Sequence, residues 1–414
     1  MNSFSIQSFG CRVNQAEAFR WSDVFQKQGL THTKDVNQSD LVVVNTCTLT
    51  HRADRDVRSF IRKVSRENPQ AKILVTGCYA QRKKETLKRN PRVWEVLSNQ
   101  EKENLAEKVL FEAHSYPSGS FYPYRSRALV KIQDGCDFRC TFCIIPSVRG
   151  KSVSGGKERI LSQIKEYVRQ GFREVVLTGV HICLYGLDSE PQSSLMELLE
   201  EIEAVDGLGW IRLSSLDPRF LNPSLLDHIT SSQIICPHFH LSLQNGSDQI
   251  LKWMGRNIKV SRYQEVLHRL FQSSPRASLG ADIMVGFPGE TEDDFEKTRL
   301  FLQQSPLSYF HVFPYSPRPW TKASSWDYVE DKLKTERARK LRALSRKKRD
   351  HFYKKFLGET LPAVVIKKGK GGAQLLTPNY LRVNVPWCPA EEKEEVKVKI
   401  NRTENGRVQG QVVD

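Results

Sequence analysis

No stretch of this 414-residue chain approaches the ~20 consecutive apolar residues of a membrane-spanning helix, so a membrane-embedded protein is not expected. The opening Met-Asn-Ser-Phe-Ser-Ile-Gln carries neither a basic run nor an apolar one, and no secretory signal is expected. Acidic residues are in deficit, 47 against 63 basic ones, which leaves a net charge of +16 and a pI near 9.4. That deficit favours a polyanionic partner, nucleic acid ahead of membrane. The nine cysteines are an odd number behind no signal, which argues against a disulfide framework and for a reducing, cytoplasmic setting. Apolar residues make up 39% of the chain, enough for real cores, and the length implies two or three domains.

What is present is dominated by cysteine spacing. Cys136, Cys140 and Cys143 lie in Asp134-Gly-Cys-Asp-Phe-Arg-Cys-Thr-Phe-Cys-Ile-Ile-Pro146, a C-x3-C-x2-C triplet. A structural zinc site wants four ligands, and this loop holds no fourth Cys or His. Three thiolates so close together suit a cubane iron–sulfur cluster with one iron left open. A zinc or redox thiol site is the competing reading. With Phe142 before the last cysteine, the triplet is similar to the signature of radical S-adenosylmethionine (SAM) enzymes.

A second pattern precedes it. Three times a short apolar strand runs into a small polar turn that ends in a cysteine: Phe4 to Cys11, Leu41 to Cys47, Ile73 to Cys78. The cysteines are roughly 30 to 36 residues apart, the length of a β-α-β unit. Charged stretches at about 15–29 and 50–67 read as the connecting helices. Parallel strands with one hand of crossover put their carboxyl ends on one edge, where open α/β sheets bind ligands. Cys11, Cys47 and Cys78 are therefore expected to meet, either as ordinary packed thiols or as a second three-thiolate cluster.

Six further strands are expected at 127–133, 174–179, 210–215, 238–244, 279–285 and 309–314, alternating with helices such as 157–170, 193–204, 261–273 and 291–303. Thr291 with Asp294 reads as a capping box. The pattern suits a partial parallel barrel with its chemistry at the strand carboxyl ends. Between Lys332 and Lys355 twelve Lys or Arg stand against two acids, a candidate RNA-backbone contact or a solvated helical face. Short strands at Leu361–Ile366, Tyr380–Val385, Val396–Ile400 and Val408–Val413 suggest a small β-barrel. Tyr380 and Arg382 would offer it a stacking face and a charge. The expected fold is α/β: residues 1–118 a parallel-sheet domain, 119–330 the partial barrel, 331–356 a basic linker helix, and 357–414 the β-barrel.

With both cysteine sets in place, the whole chain resembles the radical-SAM methylthiotransferases. That family combines a three-cysteine amino-terminal domain, a radical-SAM barrel and a carboxy-terminal TRAM barrel in this order. Gly10-Cys-Arg-Val-Asn-Gln-Ala-Glu17, Asn45-Thr-Cys-Thr-Leu-Thr-His-Arg-Ala-Asp54, Gly77-Cys-Tyr-Ala-Gln81, Leu177-Thr-Gly-Val-His181 and His311-Val-Phe-Pro-Tyr-Ser-Pro317 look like the branch acting on threonylcarbamoyladenosine in tRNA. Two other branches act on isopentenyladenosine in tRNA and on a ribosomal-protein aspartate. A non-catalytic zinc-filled RNA-binding protein is the alternative from another class. Ser242-Leu-Gln-Asn-Gly-Ser247, Met254-Gly-Arg256 and Lys151-Ser-Val-Ser-Gly-Gly156 depart from the family pattern in turns near the cofactor.

The resemblance implies two 4Fe-4S clusters, one on each cysteine set, as metal and catalytic centres. It implies SAM held by Phe142, Thr178, Gly179, Ser214, Gln244 and the segment containing Asp282 and Gly286. Two SAM molecules would be used per turnover, one as methyl donor and one as radical source. The substrate would be the tRNA anticodon loop at position 37. An electron donor such as flavodoxin or ferredoxin is implied, with the sulfur source open. Cys183, Cys236 and Cys388 have no implied role and read as packed or partly exposed thiols.

Overall fold

The computed structural model describes residues 1–111, 126–404 and 406–413. The expected boundary between 118 and 119 lies outside the described residues.

Five strands form one parallel sheet in the order Thr31–His32, Ser3–Ser8, Leu41–Thr46, Lys72–Gly77, Val93–Val96. Leu41–Thr46 is its centre and is buried along its whole length, which is why it reads as a nearly unbroken apolar run. Alternation along the strands gives each face its own core. Leu41 and Val43 join Phe4, Trp21 and Phe25 on one side, and Val42 and Val44 join Val57, Ile61 and Val64 on the other. The latter three form one stripe of the helix His51–Glu67, which opens at Thr50 with its hydroxyl accepting from the Ala53 N–H.

The central unit has six parallel strands in two three-stranded sheets. Ala128–Lys131, Glu174–Thr178 and Trp210–Leu213 form one; His238–Gln244, Ser278–Val285 and Tyr309–Pro314 form the other. Single bridges at Ile211–Ile235 and Leu216–Leu241 join the two into one curved wall, a partial barrel. Helices Lys157–Arg169, Leu195–Glu203, Val260–Ser273 and Glu292–Gln304 pack their apolar faces on its outside. The capping box at Thr291 is present, with both reciprocal bonds to Asp294. Side chains on the inner face are largely polar: His238, His240, Asp282, Tyr309 and His311. Among the described residues no helix is long and apolar enough to cross a membrane.

The basic stretch forms one helix, Asp331–Lys354. Only part of it is a free cationic face. Arg337 donates to the Glu290 carbonyl at 3.1 Å, Arg342 to the Val312 carbonyl at 3.0 Å, and Lys348 to the carbonyls of Gln303 and Ser305 at 3.0 and 2.8 Å. These cations bind the helix to the last barrel strand and to both ends of the helix Glu292–Gln304 that precedes it. Lys332, Arg339, Arg346, Lys347, Lys354 and Lys355 remain exposed. The helix then leads into the last unit: Phe352 and Phe356 plug a closed five-stranded barrel of Thr360–Gly369, Gly372–Leu376, Arg382–Val385, Glu395–Glu404 and Arg407–Val413.

Tyr380 corrects an expectation. It lies before its strand, in a left-handed backbone conformation at φ 70°, and its ring stacks on His238 of the central barrel at 4.0 Å between centroids. Arg12 donates to its hydroxyl at 3.3 Å. Its ring is thus committed to a junction of all three units, not offered outward for a base. Arg382 is exposed, as expected.

Candidate active site

Each amino-terminal cysteine sits where a sheet strand has just ended. Cys11 caps the helix Arg12–Lys27, Cys47 follows Leu41–Thr46, and Cys78 opens the helix Cys78–Lys88 directly after Lys72–Gly77. Two glycines let the turns close on one another. Gly10, at φ 85°, lies so near Cys47 that an added methyl would collide with its Cβ and Sγ. Gly77, at φ 92°, would place a methyl 2.6 Å from Asn45 Oδ1 and 2.7 Å from the Thr46 nitrogen. Gly77→Ala should therefore destabilise by about 1–3 kcal/mol through backbone strain and collision together. Thermal unfolding measures it, and an unchanged midpoint would contradict the packing described. Asn14 ties the turns, its Nδ2 donating to the carbonyls of Phe9 at 2.8 Å and Thr46 at 2.9 Å.

Each of the sulfurs has polar company. Cys78 Sγ accepts from Arg149 Nε at 3.3 Å and lies 3.9 Å from Asn99 Nδ2; Cys47 Sγ accepts from the Leu49 N–H at 3.5 Å; Cys11 Sγ is 3.8 Å from Asn14 Oδ1. Burial pushes Cys47 up to about 12, with Cys11 and Cys78 adding to it. Burial also raises Cys11, against the opposing charge of Arg149. Left alone, Cys11 and Cys47 stay protonated at neutral pH; a bound cation would supply the charge that turns them into ligands. Among the described residues no three His, Cys, Asp or Glu side chains are gathered closely enough to hold a single metal ion.

The second set follows the first barrel strand. Its loop is fastened on several sides: Cys136 N to the Gly150 carbonyl at 3.1 Å, Thr141 N to the Met254 carbonyl at 3.0 Å, Thr141 Oγ1 to the Trp253 carbonyl at 2.8 Å, and Ala323 N to the Thr141 carbonyl at 2.8 Å. Cys136, Cys140 and Cys143 are all partly exposed. Burial drives Cys143 up to about 12, and the neighbouring Cys140 and Cys136 add to it. Asp217 accepts from Arg219 at 2.7 and 3.0 Å, and stands 3.3 Å from Arg256 and 3.2 Å from His181. Arg219 in turn lies over the Phe138 ring at 4.1 Å.

Two of the departures from the family pattern, Ser242–Ser247 and Met254–Arg256, prove to be neighbours. Arg256 Nη2 donates to the Ser242 carbonyl at 2.6 Å, and at Gly255, at φ 71°, an added methyl would face the backbone of Arg139 and Cys140.

Of the implied cofactor residues, Thr178 and Ser214 are buried with hydroxyls that find no hydrogen-bond partner. Adjacent Gly179 has no room for a side chain against Gln133. Gln244 ends its strand at φ 79°, a rare backbone for a non-glycine residue. Phe142 packs near Phe287 at 6.5 Å. Asp282 lies deeper in the barrel, 3.2 Å from His240 Nε2. Gly286 faces the long helix, against the Lys334 side chain. Orphaned hydroxyls at the barrel-strand ends fit a polar cofactor next to a cluster, and the N–H donors on Cys47 and Cys78 fit thiolate ligands, while Cys11 faces the Asn14 amide oxygen. Cys183, Cys236 and Cys388 are buried and unpaired with one another; Cys183 lies behind the Asp217 group, its sulfur accepting from the Asp217 N–H at 3.4 Å.

The two sets abut. Cys78, Ile144, Ile145 and Val148 form one apolar cluster, and Cys136 and Cys143 pack against it. Farther round the mouth, Arg318 from the segment after the last barrel strand donates to Asp54 at 2.8 Å, and the His51 N–H to Ser316 Oγ at 3.3 Å. Asp54 also pairs with Arg82. Sequence reasoning missed Arg149, Asp217 and Arg318, and named Arg256 only as part of a turn near the cofactor. Their one visible signal is a charge directly beside a proline or glycine: Gly150, Pro218, Gly255, and Pro317 with Pro319.

Comparison with known proteins decides the family. Residues 3–98 match a family described as Uncharacterized protein family UPF0004, and residues 130–302 match the Radical SAM superfamily. The chain is 38% identical to threonylcarbamoyladenosine tRNA methylthiotransferase MtaB of Aquifex aeolicus, over 92% of this chain and 95% of that one. It is 34% identical to the protein of that name from Chlamydia pneumoniae (99% and 98%) and 32% to that from Bacillus subtilis (100% and 97%). The chain belongs to the MtaB-type radical-SAM methylthiotransferases. It is accordingly a radical-SAM enzyme that uses a 4Fe-4S cluster and SAM. Among solved structures, the radical SAM methyltransferase TsrM of Kitasatospora setae superposes with a TM-score of 0.57 at 12% identity, over 78% of this chain and 77% of that one, a likeness of fold. OxsB, a cobalamin-dependent radical SAM enzyme, gives 0.51 at 12% identity over 82% and 56%.

Proposed function

We propose that this enzyme converts N6-threonylcarbamoyladenosine at position 37 of tRNA, next to the anticodon, to its 2-methylthio derivative. The substrate in this reading rests on the similarity to the MtaB proteins, and its chemistry on the contact between the two thiol sets, Cys78 packing in one apolar cluster with Cys136 and Cys143. Cys136, Cys140 and Cys143 would hold the SAM-binding cubane, and Cys11, Cys47 and Cys78 a second one. When bound, these groups and SAM supply hydrogen abstraction at C2 of the adenine and the sulfur and methyl that replace that hydrogen.

The chain's own part is aim and enclosure. Thr178 and Ser214 offer hydroxyls to SAM, Gly179 allows close approach, and Phe142 closes the apolar side. The Arg219–Asp217–Arg256 group supports the barrel wall beside the thiol loop. The Arg318–Asp54–Arg82 pairing holds the Cys47 turn over the barrel mouth. The exposed cations of the long helix, with Arg382, would meet tRNA phosphates, so binding should weaken as salt rises. The target base must leave the loop's stack to enter the barrel. The units would run 1–118, 119–330, 331–356 and 357–414, and the enzyme would work in the cytoplasm with a flavodoxin- or ferredoxin-like electron donor.

The deciding experiment is mass spectrometry of tRNA nucleosides from a deletion strain and its complement. Loss and return of the 2-methylthio form of threonylcarbamoyladenosine supports the reading. Loss of the isopentenyl counterpart instead would replace the substrate. A finer expectation concerns the orphaned hydroxyls. Thr178→Val and Ser214→Ala should each weaken SAM binding about three- to tenfold, one hydrogen bond at roughly 0.5–1.5 kcal/mol. Thermal stability should hold or rise, because the free protein loses no bond. Equilibrium binding and a melting curve together check this.

A further inference from the structure

The apolar contact between the thiol sets has a polar counterpart built around one side chain. Arg149 ends the short helix Ile145–Arg149 that follows the Cys136–Cys143 loop, yet its guanidinium points out of the barrel into the amino-terminal unit. The side chain is 0% exposed. Nε donates to Cys78 Sγ at 3.3 Å; Nη1 donates to Glu17 at 3.1 Å and Asp134 at 2.7 Å; Nη2 donates to Asn14 Oδ1. The next residue, Gly150, accepts from the Cys136 N–H at 3.1 Å, and Val148 accepts from Asn99 Nδ2 at 2.6 Å. One turn of chain thus touches a thiol of one set and the backbone of the other.

The charges around it do not balance. Arg149, Lys102 and Lys131 share Glu17 and Asp134, and Lys131 also reaches Glu103, half exposed at the rim and shared with Arg20. Arg149 and Lys102 are almost wholly buried, where a cation in excess is costly unless something negative faces it. The sulfur facing Arg149 is that of Cys78. Thiolate ligation there would complete the balance, and hydrogen bonds to ligand sulfurs are among the terms that set a cluster's reduction potential.

We propose that Arg149 is a positioning residue that joins the two cysteine sets and, by donating to the Cys78 sulfur, raises the reduction potential of the amino-terminal cluster. The proposal rests on the two-cluster reading above, and its test separates the two. In a Cys136→Ala, Cys140→Ala, Cys143→Ala background only the amino-terminal cluster should assemble, at about four irons per chain. Its midpoint potential is read by redox titration followed by electron paramagnetic resonance.

Adding Arg149→Gln should shift that potential downward, because a positive donor favouring the reduced cluster is gone. Adding Glu17→Gln should shift it upward, because Arg149 is then less neutralised. A background chain without iron would sink the two-cluster reading and this inference with it. A full complement of iron with an unmoved potential in Arg149→Gln would overturn the inference alone. If Arg149→Gln does not fold, Glu17→Gln decides: a rise supports the donor role, and no change overturns it.

Discussion

Alanine at Cys11, Cys47 and Cys78 together should remove about half of the roughly eight irons two cubanes contain, and abolish the methylthiolated product. SAM cleavage should survive, because the loop of Cys136, Cys140 and Cys143 takes its fastenings from Gly150, Met254, Trp253 and Ala323, none of which lies in the amino-terminal sheet. The reciprocal triple change should also halve the iron but stop cleavage. Iron content, 5′-deoxyadenosine and modified nucleoside are measured on the same preparations. The asymmetry follows from the site's construction: one set belongs to the barrel that activates SAM, the other meets it from a separate unit, across Ile144, Ile145 and Val148 and through Arg149. Product from the amino-terminal triple variant would show that sulfur does not come by way of those thiols.

Much of this site was legible from spacing, and the limits of legibility have physical causes. Leu41–Thr46 announces itself because both faces are buried; the alternating short strands around it repeat the same turn-and-cysteine ending. Strand direction then brings the thiols to one edge without any knowledge of side-chain contacts. Thr31–His32 and Gly372–Leu376 escape such reading, the first for its two-residue length, the second for a glycine start that resembles a turn. The buried charges escape for another reason. Arg149, Lys102 and Glu17 look like surface residues in sequence yet are buried, sharing the partly covered Asp134 where two units meet. Tyr380 likewise looked free because its partners, Arg12 and His238, lie far from it in the chain and in other units. The basic helix mixed two roles that composition cannot separate, with Arg337, Arg342 and Lys348 binding barrel carbonyls and their neighbours facing water.

The largest expected loss of stability comes from Glu174→Ala. Glu174 and Arg212 are both 0% exposed and meet through two bonds, at 2.6 and 3.2 Å. Arg127 adds a third contact at 3.1 Å. Arg212 also donates to the carbonyls of Pro378 at 2.9 Å and Thr377 at 3.2 Å, so the same guanidinium seats the small barrel on the central one. Removing the carboxylate leaves a buried cation unpaired, at a cost of about 3–5 kcal/mol. Denaturant unfolding should show it, and limited proteolysis should cut first where the small barrel meets the central one. The pair also predicts a pH dependence. Burial alone would raise the Glu174 pKa, but Arg212 and Arg127 outweigh it and hold it below the ordinary glutamate range. A depressed carboxylate contributes stability above its unfolded pKa of about 4.3 and loses it as pH falls through the lower folded value. Acid unfolding of the parent should therefore be steeper below about pH 4.3 than that of Glu174→Gln, which carries no such proton. Equal acid slopes would mean that Arg212 is held by the Pro378 and Thr377 carbonyls instead of by the charge of Glu174.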